Sequence, residues 1–359
     1  MSLFGDQYRD RRVLLTGHTG FKGSWLALWL TEMGANVVGL ALPPDTEPSH
    51  WNLLNLNITE YRNDIRDSAV MSRVMADVKP DIIFHLAAQP LVRRSYREPL
   101  ETWSTNVMGT ANVLEAARRT PEVRAIVVVT TDKCYQNQEW PWGYRETDGL
   151  GGYDPYSASK AATELVAASY RKAFFYTQDA PLLATARAGN VIGGGDWSED
   201  RLIPDLVRAV TSGTSLEIRS PQATRPWQHV LESLSGYLLL GQHLLEGQYD
   251  KADAWNFGPE AEGNRSVAEV LDGLKLHWPE LSWNAISRPQ PHEANLLYLD
   301  NSKAKSLLGW QPIWRLEQTL ASTSDWYRAY YANGHLESRQ QIAQYIASAQ
   351  AAGVKWSGT

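Results

Sequence analysis

A short apolar run, Arg12-Val13-Leu14-Leu15, feeds directly into Thr16-Gly17-His18-Thr19-Gly20-Phe21-Lys22-Gly23. After that turn Phe21, Trp25, Leu28, Trp29 and Met33 recur at spacings of three and four, which predicts an amphipathic helix to about Met33. No other stretch constrains the fold as much. At the start of such a helix the free backbone amides and the helix dipole point at one spot, so the turn is an anion site. Glycines by themselves mark only a turn. With a strand before and a helix after, Gly17, His18, Thr19, Gly20, Phe21, Lys22 and Gly23 are expected to hold a dinucleotide.

The alternation continues down the chain. Residues 36–42 read as a second strand, which in a site for NAD should end in an acid that holds the adenosine ribose. Here Leu42 is followed by Pro43-Pro44, Asp45 comes three residues late, and no arginine stands ready for a 2'-phosphate. NAD against NADP, and how tightly the cofactor is kept, stay open at this end. Asp64 and Ile65 precede a helix ending near Lys79-Pro80, so Asp64 either accepts from an adenine amino group or caps that helix. Residues 81–89 predict a buried strand running into Leu86, Ala87, Ala88 and Gln89, whose small members let a backbone lie close to a ligand. His85 within that run reads as a satisfied core histidine. A helix containing Asn106 and reaching about Arg119, a strand at 125–129, a helix holding Tyr156 and a strand at 181–187 follow. This order predicts an α/β fold, a Rossmann-type doubly wound parallel sheet.

Beyond residue 187 the texture changes, with a helix at 201–210, a short strand at 215–219 and a helix at 231–245. A dinucleotide-binding domain over 1–186 and a smaller mixed α/β substrate-binding lobe over 187–359 are expected, with the chain free to cross back between them. The tail past Glu337 reads as a polar helix with a loose end. The 359 residues carry a formal net charge of -6 and no run of Lys or Arg, which argues against nucleic acid or an anionic membrane as partner. With one cysteine, Cys134, and eight scattered histidines, neither an internal disulfide nor a metal site is expected. No apolar run is long enough to span a bilayer and the first residues lack a secretory pattern, so the expected location is cytoplasmic.

The remaining chemistry gathers between Thr130 and Lys160. The strand Ala125-Ile126-Val127-Val128-Val129 ends in Thr130-Thr131-Asp132-Lys133-Cys134-Tyr135, at the sheet edge where ligands bind. In Tyr156-Ser157-Ala158-Ser159-Lys160 the phenol and the amine share one helix face.

With these motifs in order, and with Asn106-Val107-Met108-Gly109-Thr110, Arg187 to Gly193, Asn256-Phe257-Gly258-Pro259 and Asp300 to Trp310, the chain resembles the extended short-chain dehydrogenase/reductases from about Arg11 to Trp326. Thr131-Asp132 looks like the signature of the nucleotide-sugar 4,6-dehydratases, whose usual third residue is Glu. Here it is Lys133. The Asp-Lys pair, the opening turn and Arg225-Pro226-Trp227-Gln228-His229 are similar to the branch acting on CDP-glucose. The resemblance implies a hydro-lyase with NAD as cofactor: hydride leaves carbon 4 of the hexose, water leaves across carbons 5 and 6, and hydride returns to carbon 6. In bacteria such a product feeds the 3,6-dideoxyhexoses of surface polysaccharide. A homodimer or higher homo-oligomer is implied as well, through the helices near Asn106 and Tyr156.

By the same resemblance Tyr156 and Lys160 serve the redox steps, Lys160 also bonding the nicotinamide ribose. Asn106 falls with the cofactor, and Gln89, Asn190, Arg219, Arg225, Arg288 and Glu293 with the substrate, arginine forks suiting a diphosphate. A free tyrosine titrates near pH ~10, and a lysine cation ~6 Å away lowers that by roughly two units. Elimination needs an acid and a base side by side. Asp132 suits the acid. Lys133 either takes the carbon 5 proton, which requires a neutral amine and hence a neutral Asp132, or pairs with a phosphate or with Asp132. Thr131 is placed to bond the oxygen on carbon 4. The rivals are another nucleotide-sugar dehydratase or epimerase of the same fold, and a non-catalytic NAD(P)-sensing protein. An epimerase has no use for Asp132-Lys133, and sensing proteins commonly lose the Tyr or Lys kept here.

Overall fold

The computed structural model describes residues 2–286 and 296–358. Seven parallel strands form the central sheet: β1 (Arg12–Thr16), β2 (Asn36–Ala41), β3 (Thr59–Arg62), β4 (Ile82–His85), β5 (Ala125–Val129), β6 (Leu182–Arg187) and β7 (Ala254–Asn256), in the order β7-β6-β5-β4-β1-β2-β3. Val13 lies opposite Val37 on β2 and Ile82 on β4. The strands read as unbroken apolar runs because both faces are covered. Val13 and Leu15 point into one core with the helices Phe21–Glu32 and Val230–Leu245. Leu14 between them points into the other, with Ser68–Val78, Thr110–Arg118 and Pro155–Ala173. The strand order reverses between β1 and β4, and a ligand crevice opens there at the carboxyl ends.

Two features differ from the sequence reading. The Phe21–Glu32 helix is not amphipathic: every residue from Gly23 to Leu30 is buried. Its outer face is covered by the C-terminal helix Ser338–Ala351, where Tyr345 meets Trp29 edge-on at 5.8 Å. The end of the chain is latched rather than loose, with Trp356 stacked on Phe4 at 4.7 Å. Beyond the smaller lobe's first strands the chain returns to the main sheet, where β7 lies beside β6.

The smaller lobe is built from short pairs: Leu216–Ile218 with Trp283–Ala285, and Thr224–Pro226 with Asn264–Ser266. The second pair leads into the helix Val267–His277, whose first turn is closed by a Ser266/Glu269 capping box. Glu232, fully inside the protein, ties this half together. Its carboxylate accepts from the amides of Ile313 (3.0 Å) and Trp314 (2.6 Å) and from the Tyr345 hydroxyl (2.7 Å). Among the described residues no helix is long and apolar enough to cross a membrane.

Candidate active site

A cleft of about 1410 Å³ runs along the carboxyl ends of the strands and between the sheet and the smaller lobe. At its floor the turn after β1 is as tight as the sequence demands. Gly17 has φ +77°, and a Cβ there would lie 2.6 Å from the amide nitrogen of Ala87. A Cβ on Gly23 would strike the carbonyl of Gly17. The turn therefore keeps its backbone bare at the start of the Phe21–Glu32 helix, which fits the pyrophosphate of a dinucleotide.

Gly17, Thr19, Gly20, Phe21, Lys22 and Gly23 line the cleft, as do Asp64, Ile65, Leu86, Ala87, Ala88 and Gln89. His18 does not. Its imidazole is fully buried under Gly39 and meets Glu60 through Nε2 at 2.8 Å, so it shapes the turn from behind. Asn106 is also set back, braced on the Gln89 amide (2.8 Å), the Gln89 carbonyl (3.1 Å) and Ser159 Oγ (2.9 Å). It sits in a π-helical turn, Ser104–Gly109, and its carbonyl accepts from the Thr163 hydroxyl at 2.9 Å. The Asp64 carboxylate is held by the Arg66 guanidinium, at 2.8 Å from Nε and 2.6 Å from Nη2. At the end of β2, Leu42, Pro43 and Asp45 line the cleft, and Thr19 Oγ1 donates to the Leu42 carbonyl at 3.0 Å. His85 is a core residue, bonded to Thr16 Oγ1 (2.7 Å) and Thr110 Oγ1 (2.9 Å).

The catalytic candidates converge. Thr131 caps the short turn Asp132–Cys134 beyond β5. Pro155 starts the helix that carries Tyr156 and Lys160, and Asp154 caps it by accepting from the Ser157 amide at 2.9 Å. Asp132 is 1% exposed; its Oδ1 accepts from Thr131 Oγ1 at 2.9 Å, while its Oδ2 has no hydrogen-bond partner among the described residues. Lys133 is half-buried and lines the cleft beside Tyr156 and Lys160. Lys160 Nζ donates to the Val129 carbonyl at 3.1 Å, and burial draws its pKa down to about 8.

The tyrosine departs from expectation. Burial pushes Tyr156 up to about 12; the Thr131 hydrogen bond and the Arg201 charge oppose this, and Asp132 and Asp154 add to it. Among these leading influences the cation is Arg201, not Lys160. The protein by itself therefore holds the phenol protonated. Arg201 lines the cleft and is paired with Asp196 at 2.8 Å. No spacing in the chain singles it out. Lys22 also reaches further than a turn residue need, its Nζ donating to the Tyr237 hydroxyl at 3.2 Å. Burial, with help from Arg201 and Lys160, draws that amine down to about 7.

On the substrate side Asn190, Arg219 and Arg225 line the same cleft. Gln89 is engaged with its own loop, donating to the Leu91 carbonyl (3.1 Å) and Thr102 Oγ1 (2.8 Å). Arg288 and Glu293 lie outside the described residues. A loop of glycines, Gly193 to Gly195, closes the cleft near Asn190. Trp25 Nε1 donates to the Gly194 carbonyl at 2.9 Å and Trp326 packs against the Gly194 Cα.

A tyrosine one helical turn from a buried lysine, at the lip of a dinucleotide cleft, is equipment for oxidising an alcohol, and it sets this chain among the short-chain dehydrogenase/reductases. The grouping narrows further: residues 14–323 match the GDP-mannose 4,6 dehydratase family model, and the chain belongs to that family. It is 47% identical to the CDP-glucose 4,6-dehydratase of Salmonella typhimurium, covering 95% of this chain and 98% of that protein. It is 29% identical to a dTDP-glucose 4,6-dehydratase of Xanthomonas campestris pv. campestris, over 88% of this chain and 92% of that one. Among solved structures, dTDP-glucose 4,6-dehydratase from Streptomyces venezuelae, with NAD bound, superimposes with a TM-score of 0.74 at 26% identity, covering 90% of this chain and 97% of that one. The UDP-glucose 4-epimerase of Thermotoga maritima, at 24% identity and a TM-score of 0.76 over 89% of this chain and 99% of that one, shares the fold.

Proposed function

We propose that this chain converts CDP-D-glucose to CDP-4-keto-6-deoxy-D-glucose and water, using NAD, as a cytoplasmic step toward 3,6-dideoxyhexoses of O-antigen lipopolysaccharide. The observation that carries this reading is the Thr131-Asp132-Lys133 turn facing Tyr156 and Lys160 across one cleft, in a chain 47% identical to a CDP-glucose 4,6-dehydratase. When bound, NAD would supply the acceptor and donor of the hydride exchanged between carbon 4 and carbon 6.

The chain's own residues do the rest. Tyr156 Oη takes the proton of the carbon 4 hydroxyl and, because carbon 4 remains a ketone in the product, releases it to solvent before the next turnover. Thr131 Oγ1 bonds the oxygen on carbon 4, and Lys160 holds the ribose of the cofactor. Once carbon 4 is a ketone the proton on carbon 5 becomes acidic, and Lys133 removes it. Asp132 protonates the departing hydroxyl of carbon 6 from Oδ2, the oxygen that has no hydrogen-bond partner among the described residues. Asn190, Arg219 and Arg225 hold the CDP diphosphate.

A homodimer formed through the Pro99–Gly109 and Pro155–Ala173 segments belongs to the same reading. Leu100, Trp103, Met108 and Leu165 are exposed on those segments, at 82%, 38%, 58% and 60%. That much apolar surface on neighbouring helices is typical of a buried interface.

The test is incubation of the protein with CDP-glucose and NAD, with the product read by mass and by carbonyl reduction. A 4-keto-6-deoxy product supports the reading. Turnover of dTDP-glucose alone overturns the choice of base, and dinucleotide binding with no turnover of any nucleotide sugar favours a sensing protein instead.

A further inference from the structure

Behind the cleft the last residues of β5 are gripped from both sides. Lys160 Nζ holds the Val129 carbonyl, and the next residue, Thr130, donates its hydroxyl to Glu164 Oε1 at 2.5 Å. Glu164 lies one turn beyond Lys160 on the same helix face. Its Oε2 accepts from Thr185 Oγ1 and Arg187 Nη2, both at 2.8 Å. Glu164 and Arg187 are each 3% exposed. The other arm of Arg187 donates to the Tyr135 hydroxyl at 2.7 Å, beyond the Asp132–Cys134 turn. The ion pair thus spans the backbone on both sides of Thr131, Asp132 and Lys133. A buried ion pair is not a cheap source of stability, since apolar residues of like volume often do as well. Its place at the end of the catalytic strand points to a use in the reaction.

The charges around Lys160 point the same way. The titratable groups facing it are Tyr156 and Glu164 on its own helix, His85 on β4, Cys134 after β5 and Lys22 at the start of the Phe21–Glu32 helix. Burial holds His85 neutral, near 3, and keeps the Cys134 thiol protonated; Lys22 is another amine. Glu164 is the carboxylate in the set and the largest influence opposing the burial of Lys160. Burial pushes the Glu164 carboxyl up, but Arg187 and the two threonines outweigh it and keep that carboxyl ionised.

Resting on the function proposed above, we infer that Glu164 is a positioning residue for the redox half of the reaction. Its carboxylate fixes Thr130, and through it the Thr131 hydroxyl, while serving as counter-charge to the buried Lys160 ammonium; Arg187 keeps that carboxylate in place.

Three full-length variants test this: Glu164→Gln, Thr130→Val, and the double variant Glu164→Gln with Arg187→Met, which leaves no unpaired guanidinium should the single variant fold poorly. In Glu164→Gln and in the double variant, the rate of hydride transfer from CDP-glucose should lose its alkaline limb about one pH unit lower than in the parent, a roughly fivefold loss at the midpoint of the parent limb. The KM for CDP-glucose should stay within about twofold, as expected for a loss confined to the chemical step. Thr130→Val should slow hydride transfer with the limb unmoved. NAD binding, followed by calorimetry against pH in the absence of any sugar, should show the same downward shift in the two variants lacking the carboxylate. Lower thermal stability with an unmoved limb and an unmoved binding profile would overturn the inference and leave the pair a structural one. If the parent protein does not turn over CDP-glucose, the substrate reading fails, and the calorimetric profiles still decide the role of Glu164.

Discussion

The carboxylate of Asp132 rests against the Cα of Gly189, with no room between them for a methyl group. The acid proposed for elimination is thus aimed by a neighbouring loop as well as by Thr131. Gly189→Ala should displace Asp132 while sparing Tyr156 and Lys160. We expect dehydration to fall roughly 100-fold, about 3 kcal/mol in the barrier, with hydride transfer from carbon 4 retained. Accumulation of reduced nicotinamide without 6-deoxy product is the reading that checks it.

Tyr156→Phe removes the phenol and little else from a side chain that is 8% exposed. Hydride transfer should drop by roughly 10³-fold, the scale of a lost general base. Single-turnover absorbance of reduced nicotinamide measures this, and unchanged thermal unfolding would show that the loss is chemical.

Lys133→Ala separates the two halves of the cycle. Oxidation at carbon 4 should proceed, while elimination slows by about 100-fold. In deuterated water the parent exchanges the carbon 5 proton; deuterium entering carbon 5 at the parent rate in Lys133→Ala would instead assign the base elsewhere.

Glu232 makes stability depend on pH in a direction unusual for a carboxyl. Burial raises it from 4.5 to about 7, against the pull of its bonds to Trp314, Tyr345 and Ile313. The folded protein therefore binds this proton more tightly than the unfolded chain. Its contribution is fully present below about pH 4.5 and is lost as pH rises through about 7; the size is about 3 kcal/mol. Compared with the parent, Glu232→Gln should lose less Tm between pH 5 and 8, as scanning calorimetry across that range would show.

Leu165 stands 60% exposed on the Pro155–Ala173 helix. If that face joins two copies, Leu165→Arg should weaken self-association roughly 100-fold, the effect of an interface anchor. Sedimentation velocity over a concentration series reports it directly, and a parent protein that is monomeric throughout would remove the proposed dimer.

Much of this architecture was legible in the chain because parallel strands covered on both faces must be written as apolar runs, and those runs sit between helical periods. The turn at Gly17 and the Tyr156–Lys160 pair were legible for the same reason: local geometry dictates them. What stayed hidden depends on distant parts of the chain. The periodicity of Phe21–Glu32 gave no sign that residues 338–351 would bury its outer face. Arg201 carries no local mark, since its influence on Tyr156 arises only when the smaller lobe folds over the sheet. His18 looked like part of the phosphate turn, and only the bare Cα of Gly39 lets its ring turn inward instead. For Tyr156 a neighbouring charge is local and legible, whereas the desolvation that dominates its pKa depends on everything packed around it.

Trp25 and Trp326 hold Gly194 from two directions, and that arrangement gives the protein a built-in optical gauge. Both indoles are fully buried, and the loop between them borders the cleft. Trp197 and Trp227 line the same cleft, so a fluorescence titration with nucleotide or sugar, compared between the parent and Trp25→Phe, would isolate the part of the signal that reports movement of the glycine loop without any added label.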